Sequence, residues 1–399
     1  MKKNLVLFFT IKEFEEVHLY KDVGLVPYYL CKEYDLNGKI VYSNEIKKEL
    51  PKQFRNLELE EIKFIKLPNI IRKLDKFKVL ENINFYKYLL KNAKKVDYLM
   101  LFHYAADKIF LIHLYKYLNP NGKIYIKLDS DIKLDSDGKN IIKSGIKYNI
   151  LNFLLRKYIK KVDLFSVETL GAIEKIEKLN LFGMTDLKKI VYIPNGFDED
   201  YLIENKMKIK TFEEKENIMI TVGRLGTKQK NNELLLETLE KIELKDWKIL
   251  LIGPYTKQFK NLYNNFIEKN QDKKDKVILI ENINDRNLLY DYYNRAKVFI
   301  LTSRWESFGL VLLEALRFGN YIITTDVGGA RDITKNGKLG SIIEIGNNNQ
   351  LQNEIEKVIY DKINLKKKYE ASLKLSNEKF LWNNIVKNKK FIIFFRNNF

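Results

Sequence analysis

Residues 298–329 read VFILTSRWESFGLVLLEALRFGNYIITTDVGG. A β-rich apolar run, Val298 to Thr302, ends in polar residues. Gly309 then opens a strongly apolar helical stretch, and a second β-rich run follows at 321–324. Strand, loop, helix and strand in that order form a parallel unit, and ligands of open α/β sheets gather at the carboxyl ends of such strands. Glu306 falls in that loop, and Glu314 falls about a turn and a half into the helix. Two carboxylates so placed accept hydroxyl donors from a polyol such as a sugar or ribose, while the Gly309 and Leu310 amides face an anion. The helix is apolar nearly all round, through Val311, Leu312, Leu313, Ala315 and Leu316, so Glu314 needs a partner there.

The same alternation extends in both directions. Apolar strand-like runs are expected at 4–11, 39–42, 98–102, 123–127, 164–167 and 190–193, then at 218–222, 248–252, 277–280, 298–302, 321–324 and 341–343. Helix-period segments such as Glu233–Ile242 and Gly309–Phe318 lie between them. Continuous hydrophobic strands separated by helices indicate parallel sheets covered on both faces. Twelve strands exceed an ordinary open sheet, so the expectation is α/β with two doubly wound domains. The join is expected after Ile193-Pro194-Asn195-Gly196, where Pro and Asn-Gly end a strand and a polar stretch follows. That gives an N-terminal domain at 1–196 and a second at 197–377.

The whole chain has 399 residues, of which 45% are hydrophobic and 31% charged, with 18 Gly and 6 Pro. Such a balance excludes collagen-like and wholly disordered classes. The single cysteine, Cys31, excludes a disulfide framework and a Cys-based zinc site and suits a reducing compartment. The apolar start ends at Ile11 and continues into Lys12-Glu13, which reads as a first strand rather than a signal peptide. No apolar run is long enough to span a bilayer, so the expected location is cytoplasmic. Lys and Arg number 71 against 52 Asp and Glu, a net charge of +19. The excess is spread nearly evenly between the halves and no recognition motif accompanies it, which argues against a nucleic-acid partner.

A second constellation is Thr221-Val222-Gly223-Arg224-Leu225-Gly226-Thr227-Lys228-Gln229-Lys230-Asn231-Asn232. It follows a strand and opens a helix. Its glycines let backbone approach a ligand, the helix terminus adds partial positive charge, and Arg224 and Lys230 add full charges. The combination suits a diphosphate. It lacks the Gly-Lys-Ser/Thr of a Walker A loop, and by itself it reads equally well as a solvated basic turn.

Together these segments resemble the family-4 glycosyltransferases of GT-B fold, in which two Rossmann-type domains face a central cleft. Glu306 and Glu314 match the E-x7-E signature, and VGRLGTKQKN resembles the diphosphate-binding segment with Arg224 and Lys230 as its paired cations, Lys228 being the second choice. VYIPNGFD at 191–198 resembles the close of the first domain, LLIGPY at 250–255 the turn beneath the nucleotide, and 281–303 completes the order. The resemblance implies that Glu306, Arg224 and Lys230 act at the reacting centre. It further implies that Gly24, Gly223, Tyr255, Ile283, Ser307, Phe308, Gly309, Leu310 and Glu314 contact the donor, with Ile283 bordering the base. Segment 378–399 resembles the last helices that return to the first domain.

The first domain matches more loosely. HLYKDVGLVPYYL at 18–30 resembles the N-terminal glycine loop, so Gly24 is expected to bring amides toward the diphosphate. Where many relatives carry a histidine after the strand, this chain has Asp129, and His103 ends another strand; both are candidates for the cleft. Asp129-Ser130-Asp131 and Asp135-Ser136-Asp137 do not fit a calcium loop, and no metal or other cofactor is expected. A basic amphipathic stretch at 68–80 reads as a core-packed helix with a solvated basic face or as a contact with anionic membrane. Phe391 to Phe395 either complete the packing of the first domain or touch lipid.

The activity so implied is transfer of a sugar from a UDP- or GDP-sugar to a hydroxyl of a carbohydrate or lipid-linked acceptor, with retention. The expected setting is bacterial cell-surface polysaccharide or glycolipid synthesis, at the inner face of the membrane. A nucleotide-sugar 2-epimerase of the same architecture is the alternative, distinguished by needing no acceptor. A basic nucleic-acid-binding protein is the third reading.

Overall fold

The structure, a computed structural model, describes residues 1–10, 14–44, 54, 56–63, 71, 75, 79–103, 108–128, 157–179 and 187–396. Asp129, the aspartates at 131, 135 and 137, and most of the basic stretch at 68–80 lie outside them. The chain divides into two compact units, Met1–Pro194 with Trp382–Phe399, and Asn195–Leu381. The first break stands two residues ahead of the expected one, at the Pro194-Asn195 step.

The first unit holds a seven-stranded sheet of β1 (Asn4–Phe9), β2 (Asn37–Asn44), β3 (Leu57–Lys63), β4 (Tyr98–Phe102), β5 (Lys123–Leu128), β6 (Leu164–Val167) and β7 (Ile190–Tyr192). Their spatial order is β3-β2-β1-β4-β5-β6-β7, and each neighbouring pair is parallel. Along β1, alternation sends Leu5, Leu7 and Phe9 into one core and Val6 and Phe8 into the other. One core is closed by α1 (Asp22–Tyr34); the other by α2 (Ile83–Asn92), α3 (Ile109–Leu118) and α4 (Leu170–Leu179).

β3 is a strand that the sequence pattern does not announce. Its residues, LELEEIK, pair in register with β2 from Gly38↔Leu57 to Asn44↔Lys63. Glu58, Glu60 and Glu61 suit an edge strand, whose charges discourage pairing with other chains, and Lys39 of β2 reaches Glu60 at 2.6 Å.

The second unit repeats the design with six strands: β8 (Glu216–Val222), β9 (Lys248–Ile252), β10 (Val277–Ile280), β11 (Ala296–Leu301), β12 (Tyr321–Thr325) and β13 (Gly340–Ile343). They stand in the order β10-β9-β8-β11-β12-β13. The order reverses between β8 and β11, which makes their carboxyl ends the switch point of the sheet. Its helices are α5 (Glu199–Glu204), α6 (Asn232–Leu239), α7 (Lys257–Lys269), α8 (Arg286–Arg295), α9 (Leu310–Arg317), α10 (Ala330–Ile333), α11 (Asn348–Ile359) and α12 (Leu365–Lys379). Several start on side-chain caps. Thr256 accepts from the Phe259 amide, Asp285 from Asn287, Asn347 from Gln350 and Asn364 from Lys367.

The chain then returns to the first unit as α13 (Trp382–Ile385) and α14 (Lys389–Arg396). Trp382, Ile385, Val386, Phe391, Phe394 and Phe395 join the α1 core. Tyr34 Oη donates to the Val386 carbonyl at 2.7 Å and Tyr98 Oη to that of Phe395 at 2.9 Å. Of the run Phe391 to Phe395, the three phenylalanines pack inward, and Ile392 and Ile393 are exposed.

At the carboxyl edge of the first sheet, Lys127 near the end of β5 is fully buried. Its ammonium pairs with Glu168, just beyond β6, and with Asp22 Oδ2 at 3.2 Å in the first turn of α1. Burial pulls against its charge, but the two carboxylates outweigh it and hold the lysine above its ordinary pKa.

Candidate active site

The site assembles at the switch point of the second sheet. β8 runs out at Val222, and the following loop is stitched to the end of β9: Gly223 N donates to Ile252 O at 3.0 Å, and Leu225 N to Pro254 O at 2.8 Å. The loop closes on Asn231, whose φ of 50° caps α6. Thr302, just past β11, donates to the Lys230 carbonyl at 3.0 Å, and Arg304 N donates to that of Gln229 at 2.7 Å. The two segments read separately in the sequence are thus bonded to each other.

Lys230 Nζ meets Glu306 Oε1 at 2.7 Å, with the two side chains only 12% and 10% exposed. Ser303 Oγ donates to the same carboxylate oxygen at 2.6 Å. Gln229 spans the group: its Oε1 accepts from Arg224 at 2.8 Å, and its Nε2 donates to the Trp305 carbonyl at 3.0 Å and, at 3.5 Å, to Glu306. Arg224 stands exposed at the rim, and Arg304 is held by Asn231 Oδ1 at 2.8 Å. Lys230 pairs with the carboxylate, while Arg224 and Arg304 are bonded to neutral amides, which leaves an excess of positive charge suited to a polyanion. Lys228 is exposed, so of the two lysines considered, Lys230 is the one locked to Glu306.

Beside this group Gly309 caps α9 with φ 88°, a left-handed conformation that a side chain adopts only with strain. Leu310 is the first residue of that helix, whose leading amides lack intrahelical acceptors. Phe308 is buried at 2%, and its carbonyl accepts from Gly329 at 2.8 Å. Ser307 is exposed. Tyr255, beyond β9, donates to Glu281 at 2.9 Å, and Ile283, beyond β10, packs against the core beneath.

Glu314 belongs to a second group. Its electrostatic neighbours are Tyr290, Tyr293 and Arg286 of α8. Burial first, and then the Glu314 carboxylate, push the Tyr293 phenol well above its ordinary range. Arg286 is anchored by Asp198 at 3.1 Å and lies 4.0 Å over the Tyr201 ring.

In the first unit, Gly24 is the third residue of α1, and its amide donates to Lys21 O at 3.1 Å. That amide is therefore engaged within the chain. The glycine is needed for another reason: a Cβ there would overlap the backbone of Leu19. His103, φ 61°, donates its amide to Lys127 O at 2.8 Å. No group of three His, Cys, Asp or Glu suited to a metal occurs among the described residues.

Gln229, Ser303 and Asn231 were not singled out in the sequence, because neutral polar residues signal nothing until their partners are known. Gly253 is another such residue. At φ 135° it stacks on Gly223 so closely that a Cβ would overlap the Gly223 carbonyl oxygen. Gly253→Ala is expected to cost roughly 1–3 kcal/mol and to displace the Arg224 loop, weakening ligand binding as well as lowering the melting temperature. Melting with and without ligand checks both effects.

Two doubly wound parallel units, one carrying cations and a carboxylate at its switch point, define an α/β protein of two Rossmann-like units. More narrowly, the architecture is GT-B. HepE of Anabaena, solved with UDP and glucose, matches with a TM-score of 0.62 at 12% identity over 96% of this chain and 97% of that one. Residues 203–375 match the family model described as Glycosyl transferases group 1. The capsular polysaccharide biosynthesis glycosyltransferase CapM of Staphylococcus aureus is 27% identical over 229 residues, 54% of this chain and 57% of CapM. The N-acetylgalactosamine-N,N'-diacetylbacillosaminyl-diphospho-undecaprenol 4-alpha-N-acetylgalactosaminyltransferase of Campylobacter jejuni is 24% identical over 240 residues, 60% of this chain and 62% of that enzyme. The chain thus spans little more than half the length of these relatives.

Proposed function

We propose that this protein is a glycosyltransferase that moves a sugar from a nucleotide-sugar donor, UDP- or GDP-linked, to a hydroxyl of a carbohydrate or lipid-linked acceptor. The observation that carries this reading is the Lys230–Glu306 pair beside Arg224 at the switch point of the second sheet. As the bond from the anomeric carbon to the diphosphate breaks, negative charge grows on the leaving oxygen, and Lys230 and Arg224 are the groups to stabilise it. Glu306 accepts hydroxyls of the donor sugar, the first amides of α9 meet phosphate, and Glu314 takes the ribose. The acceptor oxygen forms the new bond on the same face of the sugar, and its proton passes to an oxygen of the departing phosphate, so configuration is retained.

The similarity to CapM and to the Campylobacter transferase supports work on bacterial surface polysaccharide or glycolipid, the latter with a lipid-linked acceptor at the inner face of the membrane. Among the described residues no helix is long and apolar enough to cross a bilayer.

A thermal-shift screen against UDP, GDP, ADP and their sugars tests the reading, because a ligand that binds only the native state raises its melting temperature. One nucleotide is expected to give a clear rise that Arg224→Ala abolishes. The effect should persist in EDTA, the diphosphate charge being met by side chains. A flat response to every nucleotide would sink the proposal, and sugar conversion without any acceptor would favour the epimerase.

A further inference from the structure

Arg304 stands two residues before Glu306 in the loop after β11, and it belongs neither to the E-x7-E pair nor to the Arg224–Lys230 pair. Its backbone is fixed: its amide donates to the Gln229 carbonyl at 2.7 Å, and the next carbonyl, that of Trp305, accepts from Gln229 Nε2 at 3.0 Å. Its guanidinium is fixed as well, through the bond from Nη2 to Asn231 Oδ1 at 2.8 Å. Arg224 is docked in the same manner, from Nη2 to Gln229 Oε1 at 2.8 Å. Gln229 and Asn231 flank Lys230 in the chain, so the two neighbours of the lysine that meets Glu306 each hold one guanidinium.

Charge decides what this arrangement can take. Lys230 and Glu306 form a contact pair and largely cancel each other. Both arginines are exposed, lean on neutral amide oxygens and form no ion pair among the described residues. Lys228 is exposed too, but no hydrogen bond anchors it among the described residues. Holding an exposed arginine in one rotamer costs side-chain entropy, so a guanidinium anchored beforehand loses less when an anion arrives. Two anchored, uncompensated cations remain. A diphosphate esterified at both ends carries one negative charge on each phosphate, and arginine meets phosphate oxygens through paired N–H donors.

The structure assigns Arg304 as a third cation of the donor site, its guanidinium hydrogen-bonded to a phosphate oxygen of the nucleotide sugar beside Arg224 and Lys230. The anomeric bond breaks with its electron pair on the phosphate oxygen, the acceptor oxygen takes the sugar, and the acceptor's proton ends on the phosphate. Until that proton arrives the diphosphate carries one more negative charge, which Arg304 shares with Lys230 and Arg224. The inference rests on the nucleotide-sugar reading of the site. Wild-type protein that binds neither UDP nor GDP would defeat both, whereas unaltered affinity in the Arg304 variants would defeat this one alone.

The test is isothermal titration of the full chain with UDP and with GDP, in EDTA and across a salt series. For whichever nucleotide binds, Arg304→Gln is expected to weaken affinity by roughly ten- to a hundredfold, the usual effect of losing a hydrogen bond between charged groups. The affinity of that variant should also fall less steeply as salt rises, because one screened attraction is gone. Arg304→Lys keeps the charge without the planar fork and should recover part of the loss. Lys374→Gln removes one charge from an exposed lysine of α12 and should change neither quantity. Ligand-free melting of every variant should match that of the wild-type protein. Wild-type affinity in Arg304→Gln, an equal loss in Arg304→Lys with an unchanged salt response, or a fall in ligand-free melting that accounts for the weakened binding would each overturn the inference.

Discussion

Replacing Lys230 by alanine is expected to lower kcat for sugar transfer by roughly 10²–10³-fold, the usual effect of removing one preorganised group aimed at developing negative charge. The loss has two sources in this site. The ammonium no longer meets the leaving diphosphate, and Glu306, only 10% exposed, is left with a buried carboxylate held by Ser303 and Gln229 alone. Glu306→Gln should cost a comparable factor, because the amide keeps the shape but not the charge. The double variant should cost far less than the product of the two, since the residues act as one unit. A nucleotide-release assay measures the rates, and melting curves separate them from unfolding. Unchanged turnover in Lys230→Ala would remove the basis of the proposed mechanism.

The second large effect lies in the other unit and concerns stability. Lys127→Met removes the ammonium shared by Glu168, 3% exposed, and Asp22, 18% exposed. Breaking a buried ion pair in this way costs about 3–5 kcal/mol, on the order of 10 °C in the melting of a unit this size. Adding Glu168→Leu should recover part of the loss by removing one of the two carboxylates that Lys127 pairs with. The sign of the pH dependence follows from the raised lysine pKa. The stabilisation is fully present below the ordinary lysine value of about 10.4 and fades only in strong alkali, so the deficit of the variant should be nearly constant between pH 6 and 9. A variant that melts with the wild-type protein would show that the cluster is structurally idle.

How much of this could be read from the chain itself depends on the range of the interactions. The apolar strand runs and the glycine turns report local backbone states, so all twelve expected strands and the helices near Glu233 and Gly309 are present in the fold. β3 escaped notice because an edge strand is half solvated, and its three glutamates look like loop composition. Glu306, Arg224 and Lys230 were legible through charge and position after a strand. The bridge by Gln229 was not, because its amide could have pointed anywhere until β8 and β11 were known to be neighbours. Lys127 was hidden for the same reason. In the sequence it is merely a polar residue near the end of an apolar strand, and its partners come from α1 and from beyond β6.

The first unit is discontinuous: residues 1–194 are completed by 382–399, and Phe391, Phe394 and Phe395 fill a core laid down mostly by the first two hundred residues. During synthesis the ribosome must therefore make the entire second unit before the first can close. Residues around Tyr34, Tyr98 and Tyr125 wait uncovered for that interval, which makes the nascent chain a natural client for chaperones and ties its yield to the speed of translation.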